Sequence, residues 1–488
     1  MTVFIIGHRF HFETENLCRM FYPNSEVVLE YELREVSGDY IITSMSTSSE
    51  LSVLNVEAHI GGIIEKSERK AIACSDDEAE YTLALCLYDC LTRITGYTPA
   101  WGLLTGVRPS KLMNRLIDEK GDEGAKEYFR EKLLVSQDKT QLAFDVAQAQ
   151  KQIFKENRPE SFSLYVSIPF CPSRCSYCSF VSHSITSNNA KKLLVPYIEN
   201  LAKEIMITAE YARNNNLRLE SVYFGGGTPG VLSAEQSEFL IDTIKNNFDM
   251  TFCREFTFES GRSDTVTEEK LLSLKKSGVD RISINPQTFD NTVLELIGRK
   301  HTAEQTVEAY RLAEKIGFDS INMDLIAGLP GDTVEGFINS VDTAVSLRAE
   351  NITVHSLALK RSSTLVAKEN TELARDMTAA KMIDYANKTL SEHGYIPYYM
   401  YRQSRCVGNL ENVGWCLPGK ECLYNVYMME EIHTVLAVGA GAVTKLKAPY
   451  DNHIERIFNY KYPYEYNTGF DTLLERKNRI SEFYSTYN

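Results

Sequence analysis

Cys171, Cys175 and Cys178 stand at C-x3-C-x2-C spacing in the stretch Cys171-Pro-Ser-Arg-Cys175-Ser-Tyr-Cys178. They follow the apolar run 164–168 and the turn Pro169-Phe170. A loop this short can aim three sulfurs at one point. A structural zinc site is closed by four ligands. Three thiols without a nearby fourth ligand suit an iron–sulfur cube that leaves one iron open to a cofactor or substrate. The plainer reading, three thiols in a surface loop, fits poorly. Free cysteines hide in cores, whereas these cluster beside Pro, Ser and Arg.

Other residues capable of chemistry follow at intervals. Gly225-Gly226-Gly227-Thr228-Pro229 lets backbone approach a ligand closely and exposes its N–H groups. Glu259, in Glu-Ser-Gly-Arg262, offers a carboxylate to hydroxyls or an amine, or else caps a strand end. Gln287 carries both a donor and an acceptor, and Arg299 can grip a carboxylate through two N–H groups. Asp324 lies in Asn322-Met-Asp-Leu-Ile-Ala-Gly-Leu-Pro-Gly331. Further on, Val438-Gly-Ala-Gly-Ala-Val443 reads as a glycine-rich turn.

The elements that must position these residues alternate between strand and helix. Short apolar segments begin at Leu164, Ser221, Glu255, Arg281, Ser320 and Ile352, with amphipathic helices between them. Six β/α units in a row imply parallel strands with right-handed crossovers, in a doubly wound sheet or a barrel. In either arrangement ligands gather at the carboxyl ends of the strands. The suspicious residues fall there: cysteines after the first strand, glycines after the second, Glu259 on the third, Gln287 after the fourth, Asp324 on the fifth.

The remainder frames this core. Residues 1 to about 60 read as strands, Asp76 to Thr95 as a helix whose Cys86 and Cys90 pack in a core, and 155–160 as a linker. The expected domains are 1–160 (α+β, role unassigned), 161–360 and 361–488 (an α+β extension closing the site). Cys406, Cys416 and Cys422 have a spacing that fits no established cluster pattern. Eleven cysteines in 488 residues do not make a disulfide framework, and clusters of this kind more often bind metal in a reducing compartment. With 52 Lys and Arg against 66 Asp and Glu, the net charge of −14 argues against a nucleic-acid binder. No apolar run nears the ~20 residues of a membrane span, and the N-terminus lacks signal-peptide features. A cytoplasmic protein is expected.

The cysteine spacing with Tyr177 before the last thiol is similar to the signature of radical S-adenosylmethionine (SAM) enzymes. Tyr165-Val-Ser-Ile-Pro-Phe-Cys171 and the Gly-Gly-Gly-Thr-Pro block resemble one branch, the oxygen-independent coproporphyrinogen III oxidases and their relatives. The resemblance implies an α/β fold, an incomplete (β/α)6 barrel. It implies a [4Fe–4S] cluster on Cys171, Cys175 and Cys178 with SAM on the open iron, and a deoxyadenosyl radical formed from it. By the same match, Gly226, Gly227 and Thr228 hold the methionyl amino group. Glu259, Gln287, Arg299 and Asp324 contact the cofactor, Ala358 and Val443 border its adenosine, Tyr177 packs on adenine, and Tyr165 acts near the sulfonium.

The implied substrate is coproporphyrinogen III, with an electron donor such as flavodoxin or ferredoxin. Its carboxylates need basic partners, for which Lys360, Arg361, Arg402 and Arg405 are candidates. Ser167 replaces the histidine of the well-known oxidases, and Ser179-Phe180 replaces their Cys-Gly-Cys extension. The second feature is closer to haem chaperones. The long N-terminal region and Val407-Gly-Asn-Leu-Glu-Asn-Val-Gly414 look most like a coproporphyrinogen dehydrogenase subgroup. Three functions stay open: this decarboxylation, a haem-binding chaperone, and another tetrapyrrole-modifying radical enzyme such as a methyltransferase.

Overall fold

The computed structural model describes all residues except 24, 49–50, 73–74, 179, 181, 187, 359–376, 404–408 and 488. Two compact units result: Met1–Phe144 with a short piece starting at Arg402, and Asp145–Tyr401 with the C-terminal stretch.

The smaller unit holds β1 (Thr2–Ile6), α1 (His11–Phe21), β2 (Val28–Glu30), β3 (Tyr40–Thr47), β4 (Leu51–Ile60), β5 (Ile63–Ile72), α2 (Asp76–Thr95) and α3 (Pro109–Glu127). Its sheet order is β2-β1-β3-β4-β5. Strict alternation along β4 buries Leu54, Val56, Ala58 and Ile60 in one core with Leu83, Cys86, Leu87, Cys90 and Leu91 of α2. Ser75 caps α2 by accepting from the Glu78 amide, and left-handed Gly96 ends it. Strands alone had been expected before residue 60. The intervening α1 buries Leu17, Cys18, Met20 and Phe21, a helical stripe too short to stand out from flanking β-branched runs.

In the larger unit, α4 (Gln137–Glu156) leads to β6 (Ser161–Ile168), β7 (Phe170–Cys171) and β8 (His183–Ser184). The repeat continues with α5 (Asn188–Asn214), β9 (Arg218–Gly226), α6 (Ala234–Asn247), β10 (Glu255–Gly261), α7 (Glu268–Lys276) and β11 (Arg281–Ile284). Then come α8 (Asn291–Leu296), α9 (Ala303–Ile316), β12 (Ser320–Ala327), α10 (Val334–Leu347) and β13 (Asn351–Ser356). The C-terminal part is α11 (Met377–Glu392), β14 (Ile396–Arg402), β15 (Glu411–Cys416), α12 (Leu423–Glu430), β16 (Thr434–Val438), β17 (Val443–Lys447), β18 (Ile454–Phe458), α13 (Pro463–Thr468), α14 (Phe470–Lys477) and α15 (Arg479–Tyr487).

One sheet runs β14-β15-β13-β12-β11-β10-β9-β6-β16-β17-β18. The six expected strands, β6 and β9 to β13, are parallel neighbours in sequence order. The sheet is open-ended, with β14 and β18 at its edges, which makes the barrel a partial one. Two expected boundaries move. The unit division falls inside α4 rather than at residue 160, because Gln150 is buried and donates to Tyr398 O and Glu430 Oε1, both at 3.1 Å. Nor does the C-terminal stretch form a separate compact unit. Its β16 pairs in parallel with β6, and β15 pairs antiparallel with β13, so it flanks the same sheet on both sides.

Candidate active site

Cys171 closes β7 and is buried, while Cys175 and Cys178 are half-buried in the loop beyond it; all three are free thiols. The glycine block after β9 is bonded to this loop. The Gly227 amide donates to Ile168 O and the Thr228 amide to Phe170 O, each at 2.8 Å. The Thr228 hydroxyl donates to Cys171 Sγ at 3.4 Å. A Cβ on Gly227 would meet Phe170 O at 2.6 Å and Ile168 O at 2.9 Å, so only glycine fits this close approach. On the other side, the Ser176 amide donates to Ile297 O, and Arg299 reaches Tyr177 OH at 3.2 Å and Asn285 O at 2.5 Å.

The remaining expected residues converge on the same end of the strands. Tyr165 and Tyr223 are register partners on β6 and β9, stacked at 6.3 Å. Tyr424 of α12 stacks on Tyr223 at 4.3 Å and on Tyr165 at 5.9 Å. The Tyr223 hydroxyl donates to Glu259 Oε1. Burial pushes the Glu259 carboxyl up to about 7; Asp324 adds to this, and the Tyr223 hydrogen bond opposes it. Burial also works against ionisation of Asp324, but His355, Asn322 and Arg299 outweigh it and hold that carboxyl below its usual range. Asn322 Nδ2 donates to Asp324 Oδ1 at 2.8 Å, His355 Nε2 lies 3.8 Å from it, and Tyr401 OH lies 3.4 Å from His355 Nδ1. Two neighbouring carboxyls are thus driven apart, one close to neutral and one ionised.

Gln287 is the most strained member. Its φ is +68°, held by its amide donating to Asp324 O at 2.8 Å and its carbonyl accepting from the Ile326 amide at 3.0 Å. Its Oε1 is buried and has no hydrogen-bond partner among the described residues; the same holds for Asn285 Oδ1 and Arg299 Nε. Buried polar atoms are normally paired. Orphans gathered beside a thiol loop are what a polar ligand would satisfy. Ala358 follows β13 and Val443 opens β17. The turn before Val443 is tied to β6: Ser167 Oγ donates to Ala440 O at 2.8 Å, and Tyr197 OH donates to Ser167 O at 2.7 Å.

Lys360, Arg361 and Arg405 lie outside the described residues. Arg402 is buried, donates to Leu104 O and to Gly106 O, and has its guanidinium 5.5 Å from the Trp101 ring centre. A guanidinium committed to backbone carbonyls is a clamp within the smaller unit, so the substrate-binding assignment of Arg402 is withdrawn. Cys416 and Cys422 are buried, and Cys422 donates to Glu255 Oε1 at 3.3 Å, a packing role. Tyr223, Tyr424 and His355 were not anticipated. Period-two alternation along β9 and β13 puts Tyr223 and His355 on the ligand-bearing face, whereas no local signal points to Tyr424.

A Radical SAM superfamily profile matches residues 165–344. The oxygen-independent coproporphyrinogen-III oxidase-like protein HemZ of Bacillus subtilis (strain 168) is 34% identical over 97% of this chain and 96% of its own. The chain belongs to the HemZ family. The heme chaperone HemW of Lactococcus lactis subsp. lactis (strain IL1403) is 32% identical to this HemZ-family chain, over 57% of it and 68% of its own length. Among solved structures, coproporphyrinogen III oxidase (HemN) from Escherichia coli, a radical SAM enzyme, shares the fold: TM-score 0.51, 22% identity, 67% of this chain and 72% of that one.

Membership of this superfamily brings a [4Fe–4S] cluster and SAM to the site. The residues fit both. Three free thiols stand on one loop, close enough for their charges to act on one another. No three His, Cys, Asp or Glu among the described residues are gathered tightly enough for a single ion. The thiols of a cube each hold a different iron and stand further apart than ligands of one ion. Gln287, Arg299, Glu259 and Asp324 bring donors and acceptors to the same end of the strands, chemistry that suits an adenosyl amino acid. When bound, the cluster supplies one electron to SAM and thereby a carbon-centred radical. The glycine block and the Arg299–Tyr177 contact brace the cysteine loop from either side. No helix among the described residues is long and apolar enough to cross a membrane.

Proposed function

We propose that this protein catalyses the oxygen-independent oxidative decarboxylation of coproporphyrinogen III propionates to vinyl groups. For each propionate, a hydrogen atom leaves the side chain to the radical, carbon dioxide departs, and one electron passes to an acceptor. A low-potential donor of the flavodoxin or ferredoxin class reduces the cluster. The observation that carries this reading is the similarity to an oxidase-like protein along nearly the whole chain, the N-terminal unit included. Tyr165, in contact with the glycine block and the Tyr223–Glu259 pair, acts beside the sulfonium, while Gly226, Gly227, Thr228, Glu259, Gln287, Arg299, Asp324, Ala358 and Val443 hold the cofactor. Lys360, Arg361 and Arg405 are the carboxylate partners in this reading.

A haem-chaperone role is the second reading, favoured by the similarity of more than half of the chain to HemW proteins. Anaerobic reconstitution with iron and sulfide, followed by coproporphyrinogen III, SAM and dithionite, separates the two. Vinyl-bearing product with 5′-deoxyadenosine is expected. Tight haem binding with no product would replace the first reading by the second, and added methyl mass would replace both.

A further inference from the structure

We propose that Arg262 is a positioning residue that holds the cysteine loop and sets the reduction potential of the cluster it carries. Arg262 follows β10, three residues beyond Glu259, and is 3% exposed. Its Nε and Nη2 donate to Asp264 Oδ1 and Oδ2 at 2.9 and 2.7 Å, and its Nη1 donates to Ser173 Oγ at 2.6 Å. Ser173 lies between Cys171 and Cys175, and its own hydroxyl donates to Gly298 O at 3.3 Å. One buried guanidinium thus ties the C-x3-C segment to the end of the third barrel strand.

The same geometry orients charge. Asp264 is 26% exposed and Arg262 almost fully enclosed, so the pair presents its positive end to the loop and its negative end toward solvent. His301 stands behind, with Nδ1 3.9 Å from Asp264 Oδ1. Burial, the largest effect, pushes that imidazole down to about 4, so it adds no charge of its own at neutral pH. A cube held by three thiolates is net negative and gains a further negative charge on reduction. Nearby buried positive charge therefore favours the reduced form and raises the potential. Two further guanidiniums stand at the loop: Arg174, within it, acts on Cys178, and Arg299 acts on Cys175 while donating to Asn285 O and Tyr177 OH, so Arg262 is distinguished by its bond to Ser173 and its buried pairing with Asp264.

The test uses the full chain, reconstituted anaerobically with iron and sulfide. It reads iron content, release of iron to a chelator, the paramagnetic resonance spectrum of the reduced cluster, and its midpoint potential by dithionite titration. Arg262→Gln should release iron roughly tenfold faster, as expected for one lost charge-assisted hydrogen bond, and should move the potential to more negative values. Asp264→Asn, which leaves the guanidinium unbalanced, should move it to more positive values. Ser173→Ala should speed iron release without moving the potential. Arg262→Lys should keep the potential near that of the parent while loosening the loop. Unchanged potentials and spectra in both Arg262→Gln and Asp264→Asn, or shifts in the same direction, would overturn the proposal. If Arg262→Gln fails to fold by circular dichroism, Asp264→Asn decides by the sign of its shift. Cys175→Ser that still forms the reducible cube would instead count against the cluster assignment.

Discussion

The two ends of the barrel are built on opposite terms. At the amino-terminal ends of the strands the buried charges of Glu220, Glu255 and Arg281 all have partners. Glu220, fully buried, accepts from Arg218, from Arg254 at 3.0 Å and from Ser161 Oγ at 2.7 Å, and Arg254 continues to Glu156 and Tyr427 OH. Glu255 accepts from the Leu423 and Tyr424 amides at 2.6 and 3.1 Å and so caps α12, while Arg281 donates to Asn351 Oδ1 at 2.7 Å. At the carboxyl ends Asn285 Oδ1, Gln287 Oε1, Arg299 Nε and both ring nitrogens of His301 are buried without a hydrogen-bond partner among the described residues, and Gln287 is strained as well. A closed network contributes to the folded state alone. Open valences cost stability in the apoprotein and are recovered when a ligand fills them. The contrast separates a foundation from a binding site within one sheet.

The strongest way to break this contrast is at the thiols. Cys175→Ser should abolish cluster loading and all turnover, read as loss of iron and of the charge-transfer absorption, with apoprotein stability nearly unchanged. Retained iron and activity would remove the site. Next is the opposite end: Glu220→Ala strands Arg218, leaves Arg254 with Glu156 and Tyr427 alone, and should cost about 3 kcal/mol in denaturant unfolding. The surviving folded protein should still bind SAM with parental affinity.

Glu259→Gln tests the intermediate case, a group at the upper end that burial disfavours as a charge. The Glu259 pKa is raised on folding, from 4.5 to about 7, so the stability its proton confers is present below pH 4.5 and lost as pH rises to about 7. Relative to the Gln variant, the apoprotein should lose up to about 3 kcal/mol between pH 5 and 8. A pH-independent difference would place Glu259 in a solvated environment. The smallest effect is expected at Gln287. Gln287→Ala should leave apoprotein unfolding within about 0.5 kcal/mol and weaken SAM binding roughly tenfold, measured by calorimetry on the reconstituted protein. A large stability loss with unchanged binding would make Gln287 part of the foundation instead.

Much of this is legible in the sequence alone. The six strands and the placement of Cys171, Gly227, Glu259, Gln287 and Asp324 at their carboxyl ends follow from alternating periodicity and from punctuation by glycine and proline, which are local signals. Arg402 misled because a cationic side chain near a barrel rim reads the same whether it meets a ligand or a carbonyl, and its partners at Leu104 and Gly106 lie almost 300 residues away in sequence. Tyr424 was invisible for a related reason. Nothing in α12 says that its first turn will meet Tyr223, which lies about 200 residues earlier in the chain.

By itself, then, the sequence determined the ligand loop, the order of the parallel strands and which residues end them, because each depends on spacing within a few residues. The tertiary structure alone decided which polar groups are satisfied and which are left open, that the C-terminal stretch completes both flanks of the barrel sheet, and that Glu259 meets the Tyr223 hydroxyl. Those outcomes depend on burial and on partners distant in the chain, and no local pattern encodes either.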